Sequence, residues 1–282
     1  MSNPQIEIAQ KDQAPSPSSL YWVFDEPNAL AINKARMEFI ASVLEPLSPH
    51  VSLKSALDVG AGVGYFSRFL KDKGLEVLAI EGREENVREA QRRHPDIQFL
   101  CRNVEDPSLP EIGTFDLVLA VGLLYHLENP FAAVKNLAKM TNKVLLVESM
   151  VIGWELPSMM LVGESKYINQ GLNHVAFYPS ESCLVAMLHH AGMPFIYRPK
   201  RMPDHIDFRR HGFYSKARTV LIATRFEVSH SAFVPVRRDV MYDFSALYNS
   251  RFEPINKLHS SLSYLLQKAK QIRARLNIWR KI

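Results

Sequence analysis

The chain has 282 residues, 47% of them apolar, enough for one large domain with additions or for two small ones. No stretch approaches the roughly 18 uninterrupted apolar residues of a membrane span, the first residues lack a basic-then-apolar leader pattern, and Cys101 and Cys183 lie far apart without metal-type spacing, so a reducing cytoplasmic setting is expected. The net charge of +5 belongs to the tail: removing the seven basic residues from Lys257 onward, where no acid occurs, leaves 27 basic against 29 acidic residues and no general nucleic-acid surface.

Residues 1–19 are polar and rich in Pro and Ser, the pattern of a mobile arm. Leu20-Tyr21-Trp22-Val23-Phe24 is an aromatic cluster. Asp25 then reads as an N-cap, with Pro27 early in a helix that runs to about Leu47. Ala29, Ile32, Met37, Ile40, Val43 and Leu44 give that helix one buried face, suited to packing on a sheet edge or roofing a cleft. Ala56 to Val59 is a short buried strand, followed by a glycine turn and a helix through Phe69-Leu70. Glycines at 60 and 62, with Ala61 between them, allow close approach of a ligand to the backbone, and the helix start behind them favours an anionic group. Asp58, at the strand end, is placed for a cationic one.

A dinucleotide fingerprint requires G-x-G-x-x-G, yet the sixth position from Gly60 is Tyr65 and the third glycine falls one residue early, at Gly64. The string D-V-G-A-G-V-G-Y-F-S instead closely resembles the cofactor loop of class I S-adenosylmethionine-dependent methyltransferases. Leu75 to Ile80 forms the next strand and ends at Glu81, 23 residues after Asp58, where a carboxylate beside Gly82 can accept hydrogen bonds from ribose hydroxyls. A polar helix, Glu84 to Arg93, leads to a strand from Ile97 to Cys101. The resemblance implies that adenine lies beside the turn that follows, at Asn103, Val104 and Glu105. Phe115 to Val121 is a near-continuous apolar run, as in a parallel strand covered on both faces, and Val121 ends it at the cleft. Loop chemistry thus recurs at four strand ends, where open parallel sheets bind ligands.

Beyond it come Gly122-Leu123-Leu124-Tyr125-His126, a strand from Val144 to Val147, and about thirty residues rich in Met, aromatics and amides. Phe177-Tyr178-Pro179-Ser180 reads as the start of a helix with Ser180 as N-cap. The order G-L-L-Y-H, N-H-V-A-F-Y-P-S, Ala191-Gly192-Met193 and a last strand at Lys216 to Ala223 is similar to the tRNA wobble-uridine carboxymethyltransferase family over about residues 50–225. That resemblance implies that Tyr125 and Arg218 help to hold a carboxylated S-adenosylmethionine. The lysine supplied by that family's longer amino-terminal part has no aligned counterpart here.

The expected fold is a Rossmann-like α/β domain over residues 20–226, with a seven-stranded sheet, mostly parallel with an antiparallel last strand, a helical amino-terminal cap and a substrate-side insertion at 150–178. The expected function is methyl transfer from S-adenosylmethionine to a small-molecule hydroxyl, with S-adenosylhomocysteine as product. A tRNA acceptor with the carboxylated cofactor is the second reading, and a cofactor-binding scaffold the non-enzymatic one. His126, His174 and Tyr178 are the candidate catalytic residues, since a hydroxyl acceptor profits from a base that titrates near neutrality. Arg209, Arg210 and His211 form a basic cluster. In residues 227–282, a linker precedes a basic amphipathic helix, with Leu258, Leu262, Leu265, Leu266, Ala269, Ile272, Leu276 and Trp279 at threes and fours. Packing on its own domain or on a second copy of the chain is its expected role; RNA contact and an interfacial membrane helix are the alternatives.

Overall fold

The computed structural model describes residues 23–154, 156–165, 167–209 and 217–236. The expectations for the amino-terminal arm, for Arg210 and His211, and for the carboxy-terminal helix lie outside the described residues.

A helix, α1 (Pro27–Leu47), precedes the alternating strands and helices β1 (Ser55–Val59), α2 (Tyr65–Asp72), β2 (Glu76–Glu81), α3 (Glu84–Arg93), β3 (Gln98–Cys101), β4 (Phe115–Val121), α4 (Pro130–Met140) and β5 (Thr141–Val151). A hairpin of β6 (Met159–Gly163) and β7 (Val175–Pro179) follows, then α5 (Glu181–His190), β8 (Phe195–Pro199), β9 (Ala217–Thr224) and β10 (Phe233–Pro235). The main sheet has eight strands in the order β10-β8-β9-β5-β4-β1-β2-β3. β1, β2, β3, β4 and β5 pair in parallel, whereas β9 is antiparallel to both β5 and β8, and β10 is antiparallel to β8. The expected seven strands are present; β10 adds an eighth at the edge.

Both faces of this sheet are covered, which is why its strands read as unbroken apolar runs. Ala56, Leu117, Leu119, Val144 and Ile222 share one core with Ile32, Phe39, Ile40, Val43 and Leu47 of α1 and Phe66 and Leu70 of α2. The alternate positions Leu57, Val118, Leu145 and Leu221 are fully buried as well. The order of strands reverses between β1 and β4, whose carboxyl ends therefore open a crevice.

Three local expectations change. Asp25 is not the N-cap of α1; Glu26 holds that position without a side-chain bond, and the Asp25 carboxylate pairs with Arg93 at 2.6 and 2.8 Å and accepts from the Tyr65 hydroxyl. Phe177, Tyr178 and Pro179 end β7 instead of opening a helix, because the apolar stretch at 159–163 offers them an antiparallel partner. Ser180 does cap α5, its side chain accepting from Cys183 N. β5 runs longer than 144–147 because its second half pairs with β9 as far as Val151↔Ala217.

Candidate active site

The carboxyl ends of β1, β2 and β4, the start of α1 and the 168–172 segment enclose a cavity of about 380 Å³, within the roughly 300–1,000 Å³ of small-molecule sites. At its floor the chain turns out of β1 through Gly60 and Gly62. Gly62 has φ 55°, a left-handed conformation, and a Cβ there would stand 3.0 Å from the Phe24 ring, so glycine serves both the turn and the approach of the amino-terminal segment. Glu81 faces this loop from the end of β2. One carboxylate oxygen accepts from Gly62 N at 2.9 Å and the other from Arg83 N at 3.0 Å and Asn86 Nδ2 at 3.4 Å, which fixes the plane and leaves the first oxygen a lone pair for a further donor. Beside it, Asn86 donates to Ile168 O at 2.9 Å, and its buried Oδ1 has no partner among the described residues.

Asn103 and Val104 form the next part of the wall, after β3. Asn103 Oδ1 accepts from Glu105 N at 2.9 Å, which holds the turn. Glu105 does not reach the cavity: its carboxylate accepts from Asn129 N ahead of α4, and burial pushes its pKa up. Asp58 is also withdrawn from the wall. It is 1% exposed, accepts from the Ser67 hydroxyl at 2.6 Å, and is pushed up to about 6 by burial and, less, by the Glu81 charge, against the lowering effect of Ser67. Asp58 thus pins the first turn of α2 under the loop.

The far wall carries the titratable groups. Tyr125 and His126 sit on a short 3₁₀ turn after β4, their rings 4.1 Å apart, and Tyr178 of β7 meets Tyr125 edge-on at 5.8 Å. Burial, with smaller contributions from Glu164 and Tyr125, raises the Tyr178 pKa, so its hydroxyl stays protonated. Arg218 of β9 donates to the Tyr125 hydroxyl at 3.1 Å and to Glu148 at 3.0 Å, and its guanidinium lies 5.1 Å from the Tyr125 ring centre. Burial lowers the Arg218 pKa, but Tyr125 and Glu148 outweigh it and hold the group well above the ordinary value. Arg36 of α1 reaches Glu148 from the other side at 2.8 Å, and its buried Nε has no partner among the described residues. His126 Nδ1 lies 2.9 and 3.0 Å from the two oxygens of Glu164, whose side chain is 2% exposed.

The structure therefore brings Gly60, Ala61, Gly62, Glu81, Gly82, Asn103, Val104, Val121, Tyr125, His126, Tyr178 and Arg218 to one cavity. It does not bring Asp58, Glu105 or His174 there. His174 is exposed just ahead of β7, where its carbonyl accepts from Glu164 N and closes the hairpin. The 150–178 insertion supplies part of the wall through Met150, Tyr178 and residues 168–172, while Trp154, Met159, Met160 and Tyr167 are exposed. Sequence reasoning missed Arg36, Asn86, Glu148 and Glu164. Of these only Arg36 left a signal: with Ile32 and Ile40 it falls on the apolar face of α1, where an arginine needs a buried partner.

Residues 57–144 match the model of a methyltransferase domain family. The chain carries a class I S-adenosylmethionine-dependent methyltransferase domain. It resembles the tRNA U34 carboxymethyltransferases of Psychromonas ingrahamii (29% identity, covering 49% of this chain and 44% of that one) and Shewanella piezotolerans (32%, 51% and 46%). It is also similar to the ubiquinone biosynthesis O-methyltransferase of Xanthomonas axonopodis pv. citri (29%, 47% and 56%). The chain spans about half the length of these curated relatives. Among solved structures, the amino-terminal domain of EvdMO1, crystallised with S-adenosylhomocysteine, shares the fold at a TM-score of 0.57 and 23% identity, covering 67% of this chain and 80% of that one.

The donor set in the cleft fits S-adenosylmethionine. An unpartnered acceptor, Asn86 Oδ1, stands beside Glu81, and an unpartnered cationic donor, Arg36 Nε, lies near the end of β5, three strands away. A molecule with hydroxyl donors at one end and a carboxylate at the other satisfies both.

Proposed function

We propose that this protein transfers a methyl group from S-adenosylmethionine to a hydroxyl of a small-molecule acceptor. Glu81 and Asn86 would hold the ribose hydroxyls, Asn103 and Val104 the adenine edge, and Arg36 the amino-acid carboxylate. When bound, the cofactor supplies an electrophilic methyl group on a sulfonium. The chain's task is then to align the acceptor oxygen and take its proton. The observation that carries an oxygen acceptor is the His126–Glu164 pair. A carboxylate on Nδ1 makes that nitrogen the donor, so the other ring nitrogen of this cavity-lining histidine keeps a lone pair for the acceptor hydroxyl. Tyr125 and Tyr178 flank the acceptor end with an aromatic corner.

The test is methyl transfer from radiolabelled S-adenosylmethionine to a panel of phenols, catechols and hydroxy acids. His126→Gln is expected to lower kcat/KM by about 10²–10⁴, the usual contribution of a general base, with S-adenosylhomocysteine affinity within about threefold of the parent. Undiminished turnover in that variant would refute the role of His126.

The hydrogen bond from Arg218 to Tyr125 favours a second reading, transfer to tRNA with the carboxylated cofactor. It ranks lower because Glu148 at 3.0 Å and Asp207 at 3.2 Å already match the Arg218 charge. Carboxymethylation of an unmodified tRNA, dependent on Arg218, would reverse that order.

A further inference from the structure

The segment linking β6 to β7, residues 164–174, touches both halves of the cleft. On the cofactor side, Arg83 donates to the carbonyl oxygens of Gly171 at 2.5 Å and Gln170 at 3.4 Å, and Asn86 donates to that of Ile168 at 2.9 Å. Leu172 lies over Gly82, where a Cβ would stand 2.9 Å from Leu172 Cδ1. On the acceptor side the same segment begins with Glu164, whose carboxylate takes both the His126 ring N–H and Gly171 N, the latter at 2.6 Å. Gly171 packs so tightly that a Cβ there would drive into the His126 carbonyl oxygen, a backbone atom with no room to yield.

We infer that Glu164 is a positioning residue for His126, and that Arg83 and Asn86 hold the Glu164 segment in place from the ribose-binding end of the cleft. The inference rests on the proposed role of His126. A neutral imidazole carries one proton on either nitrogen, and a buried carboxylate 2.9 Å from Nδ1 selects the form with the proton there. Burial raises the Glu164 pKa, but the hydrogen bond and charge of His126, Gly171 N and the charge of Arg83 outweigh it, so the group stays ionised at neutral pH. Arg83 acts twice, through its hydrogen bonds to the segment and through its charge. Its backbone N also donates to Glu81, so the carboxylate that faces the ribose and the one that faces the base are joined through a single residue.

The experiment reads the tautomer of His126 directly. Full-length chain labelled with ¹⁵N-histidine gives long-range ¹H–¹⁵N spectra at about pH 8.5, where an ordinary imidazole is neutral, and His126→Gln assigns the resonance. The parent is expected to show a protonated Nδ1 and an unprotonated Nε2. Glu164→Ala should shift the tautomer ratio toward Nε2–H by about fivefold or more, the change expected on losing one hydrogen bond of ordinary net strength. Glu164→Gln, whose amide oxygen still accepts, should retain the parent form. Arg83→Ala should move the ratio in the same direction as Glu164→Ala, and as a partly exposed position it supplies the readout should Glu164→Ala not fold. An unchanged ratio in Glu164→Ala overturns the positioning role, and an unchanged ratio in Arg83→Ala overturns the clamp. Methyl transfer that survives His126→Gln would instead remove the base from the proposed function while leaving the tautomer result intact. A requirement for His126 with unchanged tautomers would remove only the present inference.

Discussion

Replacing Asp58 with Asn separates a structural carboxylate from a ligand-binding one. The Asp58 carboxyl is 1% exposed and its pKa rises from 3.8 to about 6, chiefly through burial. The folded state therefore holds this proton more tightly than the unfolded chain does. Its stabilising contribution is fully present below about pH 3.8 and is lost as the pH rises through about 6. A shift of about two units corresponds to roughly 3 kcal/mol. Asn removes the titration and keeps an oxygen for the Ser67 hydroxyl, although a neutral acceptor makes a bond weaker by about 1 kcal/mol. The difference in unfolding free energy between variant and parent should thus rise by up to about 3 kcal/mol from pH 4 to pH 7 in favour of Asn. Urea titrations at half-unit pH steps measure it, and other groups that titrate alike in both proteins cancel in the difference. Calorimetry at pH 8 should find S-adenosylhomocysteine affinity within about threefold of the parent, because Asp58 does not line the cavity. A pH-independent difference would refute the buried-carboxylate argument, and a tenfold or larger loss of affinity would return Asp58 to the ligand.

Glu81→Ala removes the acceptor for Gly62 N and Arg83 N along with the proposed ribose contacts. At about 1.5–3 kcal/mol per charge-assisted hydrogen bond, S-adenosylhomocysteine affinity should fall about tenfold or more, and unchanged affinity by calorimetry would sink the assignment. Glu148→Gln leaves the buried Arg36 guanidinium without its carboxylate and Arg218 with Asp207 alone. It should cost about 3–5 kcal/mol of stability; a urea midpoint equal to that of the parent would show that the two arginines do not depend on Glu148.

How much of this was legible in the sequence depended on whether a residue's environment is set locally. The ends of β1, β2, β3 and β4 were read to within about a residue, because an apolar run broken by a glycine or a carboxylate is a local pattern. The hairpin was not. Met159 and Leu161 are 43% and 60% exposed, so the apolar character of 159–163 reports neither burial nor alternation, and nothing local marks it as the partner of 175–179. Pro179 and Ser180 signal a helix start at 181, and that signal alone could not tell that the three residues before Ser180 finish a strand.

The charged groups of the cleft divide in the same way. Glu81 follows a strand at a fixed distance from the glycine loop, so its place comes from local structure. Glu164 looks like any loop carboxylate until the chain has crossed the sheet: its histidine lies 38 positions back, and its burial depends on Gly171 closing over both. Glu148 likewise acquires its arginines from residues 112 positions before it and 70 after it. Such groups tolerate burial only as complete sets, since a carboxylate without its cation, or a guanidinium without its carboxylate, would pay the full desolvation penalty. Groups at strand ends, such as Glu81, were therefore readable, because their places are local. The buried ion pairs of Glu148 and Glu164 were not, because they are complete only once β5, β9, α1 and the hairpin have come together.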